Sequence, residues 1–457
     1  LARDNAAVTR KANNSSLRHR DSVPLESRPR TNYGPLSGTT LDTSMKRIRE
    51  LDQQLVAAAR DIKVLSRLTW PTQVGDQFLA DWRRGSAKLP EPSVEPVDLS
   101  AQRQALGAIA DTCDASHPLE DFLLRTARSY MRAAELIEAR GTARFGQISA
   151  LLYGSARDPI TPGGSFSTEA AARRLLELTD GYAQSCSHRD ADYCLLAETV
   201  ADELRRALNA VFVDDPVMVV LDAGLAAKAA AGARRIRVRA NTCYSHIDVQ
   251  QLIHHEAMVH TLTARNGKLQ PLLTSFELGA PRTTRTQEGL ALFAELITNS
   301  IDVGRLRRIA ARSVAVGMAT DGANFIDVFQ FFLTCGQTDF EAYASSSRVF
   351  RGGDPRGGVP FTKDVVYLQG LAQVHAFLRD AVRSNRFDDG LRIFSGRMRL
   401  GDIERLRPFF DDGTIAPPHY RPTWANQHST LVAFLLYAGF ADILGLHTMA
   451  APQPDDT

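Results

Sequence analysis

The sequence predicts an α+β protein, mostly helical, with a small sheet lying beside one functionally important helix. Three observations carry that expectation. Apolar residues recur at three- and four-residue spacing over most of the chain, the signature of amphipathic helices. Two strand-like segments stand close together: the apolar run Val217–Leu221, and 235–240, where Ile236, Val238 and Ala240 alternate with arginines. A helical segment follows at once and carries two histidines flanking a glutamate, in His255-Glu256-Ala257-Met258-Val259-His260.

The elements divide the chain in order. Residues 1–42 are rich in Asn, Ser, Arg, Thr and Pro and poor in large apolar side chains. They read as a disordered, mildly basic tail, because so little burial cannot offset the entropy of ordering. Residues 43–215 read as a helical N-terminal region. Ile48, Leu51, Leu55, Ala58, Ile62 and Leu65 share one helical face, and further helices are expected near 101–110, 119–140, 168–178 and 190–210. A Pro-rich linker, Leu89–Pro96, separates the first of these, and Arg157–Gly164 reads as a loop. Residues 216–450 form the expected catalytic region, interrupted by a Gly- and Arg-rich loop at Arg348–Gly358.

Composition narrows the function. With 44% hydrophobic and 23% charged residues the chain is globular, and a formal net charge of +2 argues against nucleic acid or a membrane surface as partner. The longest apolar run, Leu431–Ala441, stops at Asp442, too short to span a bilayer, and reads as a buried helix. The five cysteines (113, 186, 194, 243 and 335) show no CxxC spacing. They read as reduced, mostly buried thiols, and with no apolar leader in the sequence the expected location is the cytoplasm. Cys186 and Cys194 are close enough in sequence to pair, and Cys243 reads as structural.

The chemistry concentrates in the 245–297 segment. Ser245 and Asp248 have the spacing of a capping box that opens the helix. Imidazole nitrogens and a carboxylate are ligands zinc favours, and a catalytic zinc site uses three of them plus water. Zinc lowers the pKa of that water to about 7, and Glu256, next to the first histidine, is placed to take its proton and pass it to a leaving amine. The usual spacing is HExxH. Here it is HExxxH, and on a regular helix residues five apart diverge by about 140°. The spacing therefore predicts a π-type irregularity between His255 and His260. Glu288, in a helix expected to open at Thr286 and run to Ile297, is the expected third ligand. Glu295 shares its face as an orienting carboxylate or a rival ligand. His254 is expected outside the ligand set. The same ligands suit other divalent metals, since affinity alone does not fix the choice.

His254–His260, Asn266-Gly267 with Gln270, and Gln287-Glu288-Gly289-Leu290-Ala291 resemble the QEGLA-motif proteins, a bacterial domain family of unknown function. That family is similar to the microtubule-associated tyrosine carboxypeptidases of animals, which remove the C-terminal tyrosine of α-tubulin. The resemblance runs from about Lys46 to about Pro422 and includes Ser129-Tyr130, Gly141-Thr142, Leu152-Tyr153-Gly154, Arg348–Gly358 and Phe361-Thr362-Lys363-Asp364. It implies a zincin-like core in which His255, His260 and Glu288 hold one zinc ion and Glu256 is catalytic. The expected function is a zinc metallopeptidase, acting as a carboxypeptidase on a peptide or protein C-terminus, with an aromatic leaving residue. An aminopeptidase or endopeptidase, or a zinc-stabilised regulatory protein without activity, are the alternatives. A carboxypeptidase needs a fixed cation for the terminal carboxylate. Arg351, Lys363 and Tyr367 are the candidate substrate-binding residues, the last two also as oxyanion donors.

Overall fold

The computed structural model describes residues 38–186, 194–225 and 227–444. The expected tail therefore lies outside the described residues up to 37, and its last residues already belong to the first helix, Gly38–Ala59. From Met45 onward the chain forms one compact unit.

Among the described residues that unit is mostly helical, with a three-stranded sheet of order β1-β3-β2. The strands are β1 (Met218–Asp222), β2 (Ala229–Ala231) and β3 (Arg235–Arg239). β3 pairs parallel with β1, Met218 opposite Arg235, and antiparallel with β2. In β3 the alternation holds: Ile236 and Val238 are buried between the arginines. β1 departs from the buried strand expected, because it is an edge strand that covers only Val219 while Met218 is 60% exposed. The short β2, an Ala run without branched or aromatic residues, carried no strand signal.

Two apolar cores lie side by side. The first joins Leu51 and Leu55, Leu123, Phe276 and the motif-helix residues Ala257 and Val259. The second joins Phe145, Tyr153, Phe329, Phe350 and Phe361. Helix Thr284–Ile297 supplies Leu290 to the first and Leu292 to the second, and helix Val365–Arg383 likewise contributes to both. The two helices cross backbone to backbone. A Cβ on Gly289 would lie 2.1 Å from the carbonyl carbon of Gly370, so this position of the QEGLA string admits only glycine.

Several sequence expectations are displaced by packing. The helix expected at 190–210 is Ala197–Val211, with 187–193 outside the described residues. Its start is drawn away by Leu195, which exchanges backbone hydrogen bonds with Tyr244. The Arg348–Gly358 loop begins only at Arg351, because helix Asp339–Phe350, secured by a capping box at Thr338, buries Val349 and Phe350 before it stops. The Leu431–Ala441 run lies in helix His428–Leu444 but is half-exposed: Leu431 and Leu435 are buried, whereas Tyr437 is 64% and Phe440 52% exposed. No helix among the described residues is long and apolar enough to cross a membrane.

The reading of reduced thiols is also corrected. Cys194 and Cys243 form a disulfide. With Leu195 and Tyr244 paired beside it, the bond clamps the segment before Ala197–Val211 to the residues just ahead of Ser245. The pairing joins residues 49 positions apart, which no short spacing motif announces. Cross-linking so long a segment restricts the unfolded chain and is worth about 2–4 kcal/mol. Reduction, or Cys243→Ser, is expected to lower the melting temperature by several degrees. A melting temperature indifferent to reductant would mean that these thiols are not joined.

Candidate metal centre

The motif helix starts as the sequence predicts. Ser245 accepts from the Asp248 amide and the Asp248 carboxylate accepts from the Ser245 amide, closing the capping box at His246–Leu252. The helix then unwinds. Ile253–Thr261 is a π-helix, in which hydrogen bonds reach one residue further and the fifth residue returns to the same face. Regular helix resumes at Leu262–Lys268. Two side chains attend the underwound carbonyls: Thr263 Oγ1 donates to Val259 at 2.8 Å and Arg397 Nη2 donates to His260 at 3.0 Å.

The result is convergence. The His255 and His260 rings stand 4.8 Å apart, edge to face. Their Nε2 atoms lie 3.5 and 3.7 Å from Oε2 of Glu288. These three residues, each offering one ligand atom within 4.8 Å of the others, form a group that could hold a metal ion. Nitrogen and oxygen donors so arranged, at separations too long for good hydrogen bonds yet short enough to share one ion, fit a divalent cation. His254 is outside the group; its Nδ1 is buried without a hydrogen-bond partner among the described residues.

Glu288 arrives differently from the expectation. Its helix begins at Thr284 after a 3-10 turn, Pro281–Thr283, so Thr286 is not the N-cap and Glu288 sits in the second turn. Gln287 ties this helix to the motif helix, its side-chain amide lying 2.8 Å from Thr263 Oγ1. Glu295 stands outside the group, against the other ring nitrogen of His255. Fully buried, it meets His255 Nδ1 at 2.6 Å and accepts from Arg305 Nη2 at 3.0 Å and Nε at 3.2 Å. The carboxylate fixes which ring nitrogen faces the cluster. Arg305, outside any motif, escaped the sequence reading, because pairing across helices leaves no spacing signal.

Glu256 points to a different use. It is half-buried and adjoins His255, and its side chain makes no hydrogen bond or ion pair with the described residues. Lys363, in contrast, is buried and engaged: Nζ donates to Glu288 Oε1 at 2.8 Å and lies 3.3 Å from the Tyr367 hydroxyl. Arg348 grips both oxygens of Asp364, at 2.8 and 2.6 Å. Arg351 caps its helix with the guanidinium over the Phe361 ring, 5.3 Å from the centroid. The structure thus brings Lys363 and Tyr367 to Glu288 and places Arg351 among their neighbours.

Charge in the cluster is tightly coupled. Burial disfavours the charged form of His255, yet the adjoining Glu288 and Glu295 carboxylates outweigh it and raise its pKa to about 10. Burial works against the Glu288 carboxylate, but Lys363 and the two histidines hold it well below the usual range. Histidine ligates a metal only when the ligating nitrogen is deprotonated. Since the raised pKa keeps His255 protonated at pH 7, metal must displace that proton, and affinity rises with pH toward 10. Zinc titrated by calorimetry at pH 7, in buffers of different ionisation enthalpy, is expected to release about one proton per ion. Binding without proton release and with pH-independent affinity would place the metal elsewhere.

The sequence model described as microtubule-associated tyrosine carboxypeptidase matches residues 76–442. No curated protein matches the chain. A crystal structure described as that of a lipoprotein from Colwellia psychrerythraea is similar over 83% of this chain and 77% of that chain, with 12% identity and a TM-score of 0.42. The family match spans well over half of the sequence and encloses the two histidines, Glu256, Glu288, Arg351, Lys363 and Tyr367, so the chain belongs to the microtubule-associated tyrosine carboxypeptidase family.

Proposed function

We propose that this protein is a zinc metallopeptidase that removes the C-terminal residue of a peptide or protein, with an aromatic residue such as tyrosine as the leaving group. Family membership supports the carboxypeptidase class. The zinc and the mechanism rest on the residues: the observation that carries them is the convergence of His255, His260 and Glu288 beside an unengaged Glu256 carboxylate.

His255, His260 and Glu288 would hold the metal, with Glu295 and Arg305 keeping His255 aimed. When bound, zinc supplies Lewis acidity to the substrate carbonyl and to water. The Glu256 carboxylate takes a proton from the attacking water as its oxygen bonds to the carbonyl carbon. The same proton passes from Glu256 to the amine nitrogen as the carbon–nitrogen bond breaks. Lys363 and Tyr367 face the developing oxyanion, and Arg351 offers a charge for the terminal carboxylate. The sheet beside the motif helix, with β3 leading into it and Thr261 bonded to the Gly232 carbonyl at 3.3 Å, fits a zincin-type core. The disulfide favours an oxidising compartment over the cytoplasm. Alkylation of the protein from its native host before and after reduction tests this, and free Cys194 and Cys243 thiols would restore the cytoplasmic reading.

Glu256→Gln separates catalysis from metal binding. It is expected to keep the metal and lose about 10²–10⁴-fold in turnover of peptides with a free C-terminal tyrosine. Full activity in that variant would remove Glu256 from the mechanism.

A further inference from the structure

Large apolar side chains stand exposed together on helix His428–Leu444: Phe434 at 40% and Leu436 at 54% join the still more open Tyr437, and Phe440 follows one turn later. Leu436, Tyr437 and Phe440, with Ala433 before them, recur at three- and four-residue spacing and form a stripe along one side of the helix. The opposite side, with Leu431 and Leu435, is buried in the first core. Phe434 lies between the two and meets Phe293 edge to face, with ring centroids 6.4 Å apart. The helix is thus apolar all round, a pattern that belongs to helices covered on every side. Among the described residues, nothing closes over the stripe.

The chemistry of the stripe selects its occupant. From His428 to Leu444 there is no Lys, Arg or Glu, and Asp442 is the single carboxylate. A charged partner finds no counter-charge there. An anionic bilayer finds none of the basic residues that draw interfacial helices to it. A second copy of the stripe does match, because a two-fold contact sets the same patch against itself, apolar on apolar. Area sets the strength of the contact. Phe434, Leu436, Tyr437 and Phe440 leave about 400 Å² open in each copy. Pairing removes about 800 Å² from these side chains, to which Ala433 and the helix backbone add, and this places the contact among small, reversible interfaces.

We infer that this stripe is the contact of a reversible homodimer, in which helices His428–Leu444 of two copies pack side by side about a two-fold axis near Tyr437. The contact lies outside the metal cluster but bears on it. Phe434 and Phe293 link the paired helices to helix Thr284–Ile297, which carries Glu288, so pairing restrains that helix from outside.

Sedimentation velocity of the full chain from about 1 to about 200 µM tests the dimer. The wild type is expected to pass from monomer to dimer over that range, and its melting temperature to rise with concentration. Leu436→Glu and Tyr437→Glu, at exposed positions, should fold like the wild type and stay monomeric throughout, since each sets two like charges across the axis. Tyr437→Phe keeps the stripe apolar and should dimerise as before. A dimer that persists in both Glu variants would use another face and would overturn the contact. A wild type that is monomeric at every concentration would overturn it too, and flotation of that monomer with phosphatidylcholine vesicles would give the stripe to a lipid surface instead.

Discussion

Two histidines five residues apart can face one ion only if the helix that carries them is underwound, and this constraint organises the centre. The π segment Ile253–Thr261 satisfies it, and its neighbours are arranged to sustain it. Thr263 and Arg397 donate to the carbonyls of Val259 and His260, while Val259 and Leu262 anchor the far face in the core. Arg397 is in turn held by its backbone bond to the Phe276 carbonyl. Asn266 and Gln270, just beyond, clamp the 394–420 segment through its backbone: Asn266 donates to Phe394 and Tyr420, and Gln270 to Ser395 and Ala416. Residues that look functional by resemblance thus work as fasteners for the motif helix.

A second constraint sets the third member of the group. Glu288 reaches the histidines because its helix presses against Val365–Arg383 where Gly289 meets Gly370. The same contact brings Lys363 and Tyr367 to Glu288 from the opposite side. The glycine of the QEGLA string is therefore a packing requirement. Placing the site on the seam between two cores gives it rigid walls on both sides, as a preorganised catalytic group needs.

Much of this was legible in the sequence because local rules governed it. Helical periodicity located the long helices, the Ser245–Asp248 spacing located the start of the motif helix, and the five-residue spacing of the histidines required its distortion. What was not legible depended on partners distant in sequence. The disulfide joins cysteines across the whole sheet, the start of Ala197–Val211 is set by pairing with Tyr244, and β1 lies at an edge that its apolar run could not reveal. In the site, Arg305 and Arg397 matched no motif, and their places follow only from the carboxylate and the carbonyl they meet. Arg348 and Arg351 look equivalent in sequence, and a single partner, Asp364, separates them.

The central claim is that the π turn makes His255, His260 and Glu288 a single metal site. Elemental analysis of the purified protein beside its His255→Ala variant tests it most directly. The account predicts about one zinc per chain in the wild type and none in the variant. A wild type without metal after zinc is supplied and the excess removed, or a variant that keeps its zinc, would contradict it.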